Sequence, residues 1–497
     1  MGVKKKTKDN LKAHRDLQKS NIRLPLHPVE KGSGKYYLPP APFTLGKRDK
    51  ETFCKVLKSV KAPDGYASNI SRHTNVKEQT IGGLKSHDNH VLIQQLLPLA
   101  VRRSLPKNVV DTLIELGNFF RKLCSKINDK YDLEELQDRI VLTLCHLEKI
   151  FPPSFFDIME HLPVHLVDEA LKGGPIQFRW MYPIERYLLT LKRYVRNRAY
   201  PEGSIARGEG REIFIDSCTL LQAHRYILSN TDAVEPFRNM HIAEIVRERP
   251  RARPWEIDRI HSQTFHEWFK SYVDSLQKTS NAQLSEEIKR FAEGPMRHGR
   301  RYKACIVRGF RFCTKSNDES KATQNSGIVL KADTKSYSST KDRRPHSRDV
   351  FYYGVLTDII KVRYTNDIKF LMFKCDWVDP DKGVKQDEYK FTLVNFNHLL
   401  YKNNLPIDEP FILSTQADQV WYVPDPLQPE WKVVLTMTPC DHFDVYSRFE
   451  AEPYSNQRLD DRLPTADDDV GWTRQGVDGV IVDENDDNGI GDDDNDF

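Results

Sequence analysis

Residues 297–315 hold the densest set of side chains that could do chemistry: seven Lys/Arg and no Asp/Glu, interleaved with Tyr302, Phe310 and Phe312. Cations neutralise phosphates and aromatic faces stack on bases, so Arg300, Arg301, Tyr302, Lys303, Arg308 and Arg311 are candidate nucleic-acid contacts. The competing reading is a basic edge strand, because Phe310-Arg311-Phe312 alternates as any half-buried strand does.

A second concentration lies in Arg179-Trp180-Met181-Tyr182-Pro183-Ile184-Glu185-Arg186 and the residues just after it. Pro183 suits the first turn of a helix, on which Tyr187, Leu188, Leu191, Tyr194 and Val195 form one apolar stripe. Glu185 falls on the opposite face near Lys192 and Arg196, with Arg193 and Arg198 extending the basic character. Its i+3 and i+4 neighbours are Leu188 and Leu189, so the ordinary helical ion pair does not account for it. A carboxylate among cations could ligate a divalent metal beside a phosphate. Metal-assisted phosphoryl transfer, however, needs two or three such groups, and spacing alone favours a structural carboxylate.

Two histidine pairs have ligand-like spacing. His87 and His90 lie at i, i+3, and His161 and His165 at i, i+4, although Pro163 interrupts the second pair. With no cysteine at zinc-finger spacing, neither pair specifies a metal site. Cys440-Asp441-His442 lacks a third orienting group. Asp483-Glu484-Asn485-Asp486-Asp487-Asn488-Gly489 lacks the glycine and glutamate of a calcium loop. Gly-rich phosphate loops, the nucleophile elbow and kinase signatures are absent.

The elements that must position these groups change character along the chain. Residues 1–50 are basic and proline-punctuated, which predicts an extended arm. A helical region occupies 51–230. In it Leu113, Leu116, Phe120, Leu123 and Ile127 make one stripe, and a second helix, capped by Asp132 with Glu135, carries Leu136, Ile140, Leu144 and Leu147 up to Pro152-Pro153. A helical extension over 231–296 contains the amphipathic set Ile260, Phe265, Trp268, Phe269, Tyr272, Val273 and Leu276. A basic segment and polar linker occupy 297–349. From 350 to 440 the period shortens: six short runs rich in Val, Ile, Phe, Tyr and Trp predict a small antiparallel, barrel-like domain. Residues 441–497 read as a disordered acidic tail. The fold class expected is therefore α+β: mainly helical first, all-β second.

The hydrophobic content of 39% excludes a wholly disordered chain, and 497 residues leave room for about three domains. The net charge of +4 conceals a division. Residues 460–497 contain 14 Asp/Glu and two Arg, a net −12, so the other 459 residues carry +4 + 12 = +16. A basic body with an acidic tail implies a polyanion partner and self-masking. Eight scattered cysteines without a CxxC pair fit intracellular usage, and no apolar run reaches membrane-spanning length.

Several long segments are familiar in order. They are Gly83-Leu84-Lys85-Ser86-His87-Asp88, Phe151-Pro152-Pro153-Ser154-Phe155-Phe156-Asp157, the Arg179 to Arg186 segment, and Val195-Arg196-Asn197-Arg198-Ala199-Tyr200-Pro201-Glu202-Gly203-Ser204-Ile205. Gly309-Phe310-Arg311-Phe312, Thr323-Gln324-Asn325-Ser326-Gly327, Tyr352-Tyr353-Gly354-Val355-Leu356 and Phe373-Lys374-Cys375-Asp376-Trp377-Val378-Asp379 extend the set. Together, over residues 5–437, they resemble the downstream half of plant CACTA (En/Spm) transposases. The resemblance implies an RNase H-like core in which clustered carboxylates hold two metals, with the first of them upstream of the segment that here begins at Lys6. Glu185 is then the candidate for the last carboxylate, inactive alone. On this reading the chain is a catalytically incomplete, transposase-derived nuclear protein that binds DNA and has a full-length transposase or another nuclear protein as partner. It needs no cofactor, and a divalent metal would enter only with a complementing catalytic half. Two other readings stay open: one piece of a split transposase, and a protein-interaction module without DNA binding.

Overall fold

The computed structural model describes residues 9–64, 66–67, 69–125, 129–176, 179, 210–279, 284–308, 310–336, 346–365, 368–436 and 472–483. The chain is a mixture of helix and sheet built on one large antiparallel sheet. Residues 1–50, expected to be extended, contain helix α1 (Leu11–Lys19) and a hairpin of β1 (Val29–Gly32) and β2 (Lys35–Leu38). Asn10 caps α1, and Leu11, Ala13 and Leu17 are buried, so a short amphipathic pattern found tertiary cover that composition alone does not reveal.

Next come helices α2 (Lys47–Ser59), α3 (Leu97–Val101), α4 (Lys107–Leu123), α5 (Lys130–Ile150) and α6 (Pro163–Gly173). α4 and α5 form the expected helical hairpin, closed with α6 over Phe119, Leu123, Leu133, Leu136, Ile140 and Val167. The cap of α5 differs from expectation: Asp129, not Asp132, accepts from the Tyr131 N–H at 2.8 Å. Beyond residue 210 lie β3 (Arg211–Phe214), α7 (Ser217–Ser229), α8 (Glu235–Glu248), α9 (Pro254–Thr279) and α10 (Glu286–Glu293).

Then follow β4 (His298–Tyr302), the hairpin β5 (Ala304–Val307) and β6 (Phe310–Cys313), β7 (Gly327–Ser336), β8 (His346–Arg363), β9 (Lys369–Trp377), β10 (Val384–Gln386), β11 (Thr392–Val394), β12 (Phe411–Leu413), β13 (Asp418–Pro424) and β14 (Lys432–Thr436). The main sheet has ten strands in the order β10-β11-β14-β13-β7-β8-β9-β12, with β4 also on β8 and β3 on β4. Its end strands do not meet, so no closed barrel is found among the described residues; this corrects the barrel-like expectation. The sheet is larger than periodicity suggested because β7, inside a polar stretch read as linker, pairs on both sides, with β8 and β13. Only Ile328, Val329 and Leu330 mark it in the sequence.

Helical layers cover this sheet on two faces. Trp421 and Val423 of β13 and Leu435 of β14 pack against α2, α3 and α4. The register carries the face of Trp421 through Gln419↔Ile328 and Gly354↔Trp377 to Phe373, which leaves Met372 on the other side. Met372 packs there with Ile360, Val362 and Phe411 against α7, α9 and α10, where Phe265, Phe269 and Val273 form the predicted stripe. Among the described residues no helix is long and apolar enough to cross a membrane.

The acidic tail is also partly folded. Residues 472–483 are described and end in β15 (Val480–Asp483), which pairs antiparallel with β2. For this part of the tail the expectation of disorder is corrected: Trp472, Val477 and the β-branched run Val480-Ile481-Val482 supply apolar surface that the overall acidity hides.

Candidate nucleic-acid interface

The basic stretch 297–315 is divided by the fold. Phe310 and Phe312 are buried in the core beside Phe373, so they are unavailable for stacking on a base. The alternation inferred from Phe310-Arg311-Phe312 therefore describes a half-buried strand. Four arginines are engaged within the protein. Arg300 meets Glu212 at 3.2 Å, and Arg301 meets Asp358 at 2.9 Å. Arg308 donates to the Asp418 carboxylate at 2.8 Å and to the Ala417 carbonyl at 2.6 Å, while Arg311 pairs with Asp64. Lys303 is exposed, and among the described residues no carboxylate lies within ion-pair distance of it.

β8 lies between β4 and β9 here, and its register against β9 shifts between Leu356 and Asp358. The extra residue, Thr357, donates its hydroxyl to the Lys374 carbonyl at 3.0 Å. A bulge bends its strand and opens the surface beside it. Here the opening is a cleft of about 600 Å³ with Arg301, Tyr302, Lys303, Lys374, Tyr401 and Lys402 on its walls. Asp358, Asp376 and Asp408 also line it, but two of them are occupied: Asp358 by Arg301, and Asp408 by the Leu405 N–H at 2.7 Å. Lys374 donates to Asn404 at 3.0 Å. Lys402, like Lys303, is exposed with no carboxylate partner among the described residues. A neighbouring groove of about 370 Å³ shares Tyr401, Lys402 and Asp408 and adds Lys382 and His398. The surface thus offers ammonium groups beside two half-buried phenol rings, the combination that grips a phosphate backbone and accommodates a base. Burial pushes the Tyr401 phenol up, so it stays a neutral hydrogen-bonding group at ordinary pH.

The other predicted residues lie away from this cleft or beyond the described chain. Glu185, Lys192, Arg193, Arg196 and Arg198 lie outside the described residues, as does Cys440-Asp441-His442. His87 and His90 stand on a short helix, Ser86–Val91; the His87 ring is 2.6 Å from the Tyr66 carbonyl, and burial lowers the pKa of His90. His161 and His165 do converge, Nε2 to Nε2 at 3.2 Å. Among the described residues no three His, Cys, Asp or Glu side chains form a group that could hold a metal ion, and all the described cysteines are free thiols.

Sequence reasoning missed Lys374, Tyr401 and Lys402. Their signal was faint: Tyr401-Lys402-Asn403-Asn404 is a polar loop between strands, and only the tertiary fold brings it to the same cleft as residues 301–303.

Comparison with known families finds two domains of unknown function. DUF4218 matches residues 123–235, from the end of α4 to the start of α8, and DUF4216 matches residues 360–434, from the end of β8 into β14. No curated protein and no solved structure matches the chain. The chain therefore carries two domains of a kind typical of plant transposase-derived proteins, with Lys374, Tyr401 and Lys402 of the cleft inside the second.

Proposed function

We propose that this chain is a transposase-derived protein of a CACTA (En/Spm) type element that binds DNA through its basic body and does not cleave DNA alone. The two domain matches occur in the order of the sequence motifs that resemble those transposases, which supports the derivation. The observation that carries the binding is the pair Lys303 and Lys402, exposed and without a carboxylate partner among the described residues, on a cleft that also presents Tyr302 and Tyr401. The Arg301–Asp358 pair holds one wall of this cleft, and the two lysines are left to meet phosphate. On this reading the protein resides in the nucleus and has a full-length transposase as partner.

The test is a duplex-DNA titration of the full chain over a range of salt. Binding should weaken as salt rises, and Lys303→Ala/Lys402→Ala should reduce the slope of log affinity against log salt by about 1 to 2. Affinity without a salt slope, or a slope that the double substitution leaves unchanged, would remove the cleft from the proposal. Incubation of nicked and supercoiled plasmid with magnesium or manganese should give no cleavage; nicking that disappears in Glu185→Gln would establish an active enzyme instead.

A further inference from the structure

The cleft that carries Lys303 and Lys402 is graded in exposure. The two lysines are open to solvent, whereas Tyr302, Tyr401, Asp376 and Asp408 are partly buried on its walls. Both phenol rings are held from behind, because they pack on the core cluster that includes Phe373 and Ile412. Tyr302 is further backed by the chain itself: a Cβ on Gly210 would sit 2.7 Å from its ring. The Tyr401 oxygen takes a hydrogen bond from the Glu409 backbone. Rings fixed in this way lose little freedom when something stacks on them. The neighbouring groove of about 370 Å³ shares the wall of Tyr401, Lys402 and Asp408, and its further residues Lys382 and His398 are exposed.

This shape discriminates between forms of DNA. A concavity of about 600 Å³ has the size of a pocket for one small ligand, ~300–1,000 Å³, so it admits about one or two nucleotides and excludes a double helix. A duplex keeps its bases stacked and would meet only the exposed ammonium groups with its backbone. An unpaired strand can lay its phosphates on Lys303 and Lys402 and turn a base inward onto a phenol ring. The carboxylates on the walls favour the same arrangement. Asp376 has no cation within ion-pair distance among the described residues, so it repels a phosphate that enters the cleft. The same carboxylate accepts a hydrogen bond from the exocyclic amino group of an unpaired base. We infer that the cleft is a site for single-stranded DNA, with phosphates on its lysine rim, a base against Tyr302 or Tyr401, and the strand continuing past Lys402 toward Lys382 and His398. This rests on the DNA-binding reading above and adds to it the form of the DNA.

The test is titration of the full chain, at one low salt concentration, with a single strand of about 15 nucleotides and with the duplex of the same sequence. The single strand should bind about tenfold more tightly than the duplex. Tyr302→Leu and Tyr401→Leu should each weaken the single strand about tenfold and leave duplex affinity within about twofold, which also shows that the variants are folded. Tyr302→Phe and Tyr401→Phe keep the ring and should bind like wild type. Equal affinity for the two forms, or leucine variants that weaken both alike or neither, would overturn the single-strand assignment and leave the DNA-binding reading standing. Tighter binding of the corresponding RNA strand would move the site from DNA to RNA. If neither form of DNA binds, the DNA-binding reading fails and this assignment falls with it.

Discussion

Arg102 shows how little a single residue type discloses. In Val101-Arg102-Arg103 no local pattern distinguishes it from its neighbour Arg103. In the fold its side chain is fully buried, its Nε 3.0 Å from Asp387 and its Nη2 on Asp425, with Arg103 at 3.6 Å from the same Asp425 carboxylate. Burial pulls the guanidinium down and the Asp387 carboxyl up, and each partner offsets the other's shift. Replacing Arg102 with Met should therefore destabilise the protein by about 3–5 kcal/mol in urea denaturation, because Asp387 loses its cation in the interior and Asp425 keeps only the more distant Arg103. A loss under about 1 kcal/mol would mean that the pair is solvated. His224 gives a pH-dependent counterpart. Its Nδ1 lies 2.7 Å from the Tyr364 hydroxyl, and burial, with His266 and Lys270 nearby, pushes its pKa down to about 3. The unfolded chain takes up the proton near pH 6.5, whereas the folded chain resists it until about 3. This contribution is therefore present above pH 6.5 and is lost as pH falls, by at most about 1.4 kcal/mol per pH unit. Tm measured between pH 7 and pH 4 should fall less steeply in His224→Gln than in wild type.

At the scale of elements, α4, α5, α9 and the strands over 350–440 were legible, and their buried faces less so. The strands over 350–440 lie close to the runs of Val, Ile and aromatic residues, because a sheet core selects that composition whatever its topology. On α4, however, Leu113, Leu116 and Phe120 are only partly buried, while Val110, Ile114 and Gly117 take the most enclosed side. Gly117 explains the rotation: a Cβ there would sit 2.9 Å from the Ile93 carbonyl and 3.3 Å from Pro98, so the helix approaches its neighbour by its smallest residue. An apolar count cannot register a glycine as an interface. The consequence is a reversal of the usual propensity rule. Alanine for glycine in a helix ordinarily gains up to about 1 kcal/mol; Gly117→Ala should lose about 1–3 kcal/mol, since backbone on the other side cannot yield. A chemical-denaturation series with Gly117→Ala beside an exposed alanine control would decide it, and stabilisation would show that α4 can shift away.

The whole molecule departs furthest from what periodicity conveyed, and the reason is sequence distance. The runs after residue 350 identify a β region, yet pairings such as Gln419↔Ile328 and Arg211↔Arg301 join strands that no local pattern connects. The candidate site suffered the same way: residues 301–303 were visible as a basic run, but Lys374 and Lys402 join it only in the folded chain. This organisation makes a physical claim about cooperativity. β7 lies between β8 and β13, and the sheet they share is covered by α2–α4 on one face and α7–α10 on the other, so the chain on either side of residues 337–345 should not be separable into two stable bodies. Introducing a specific protease site within 337–345 and cutting the folded protein gives a direct measurement. The two pieces should elute together on size exclusion and part only in denaturant, because β7 and β8 face each other in ten aligned pairs from His346↔Ser336 to Val355↔Gly327. Independent elution of a folded C-terminal piece would instead make the β region a domain of its own, with β7 an accessory strand that can be removed.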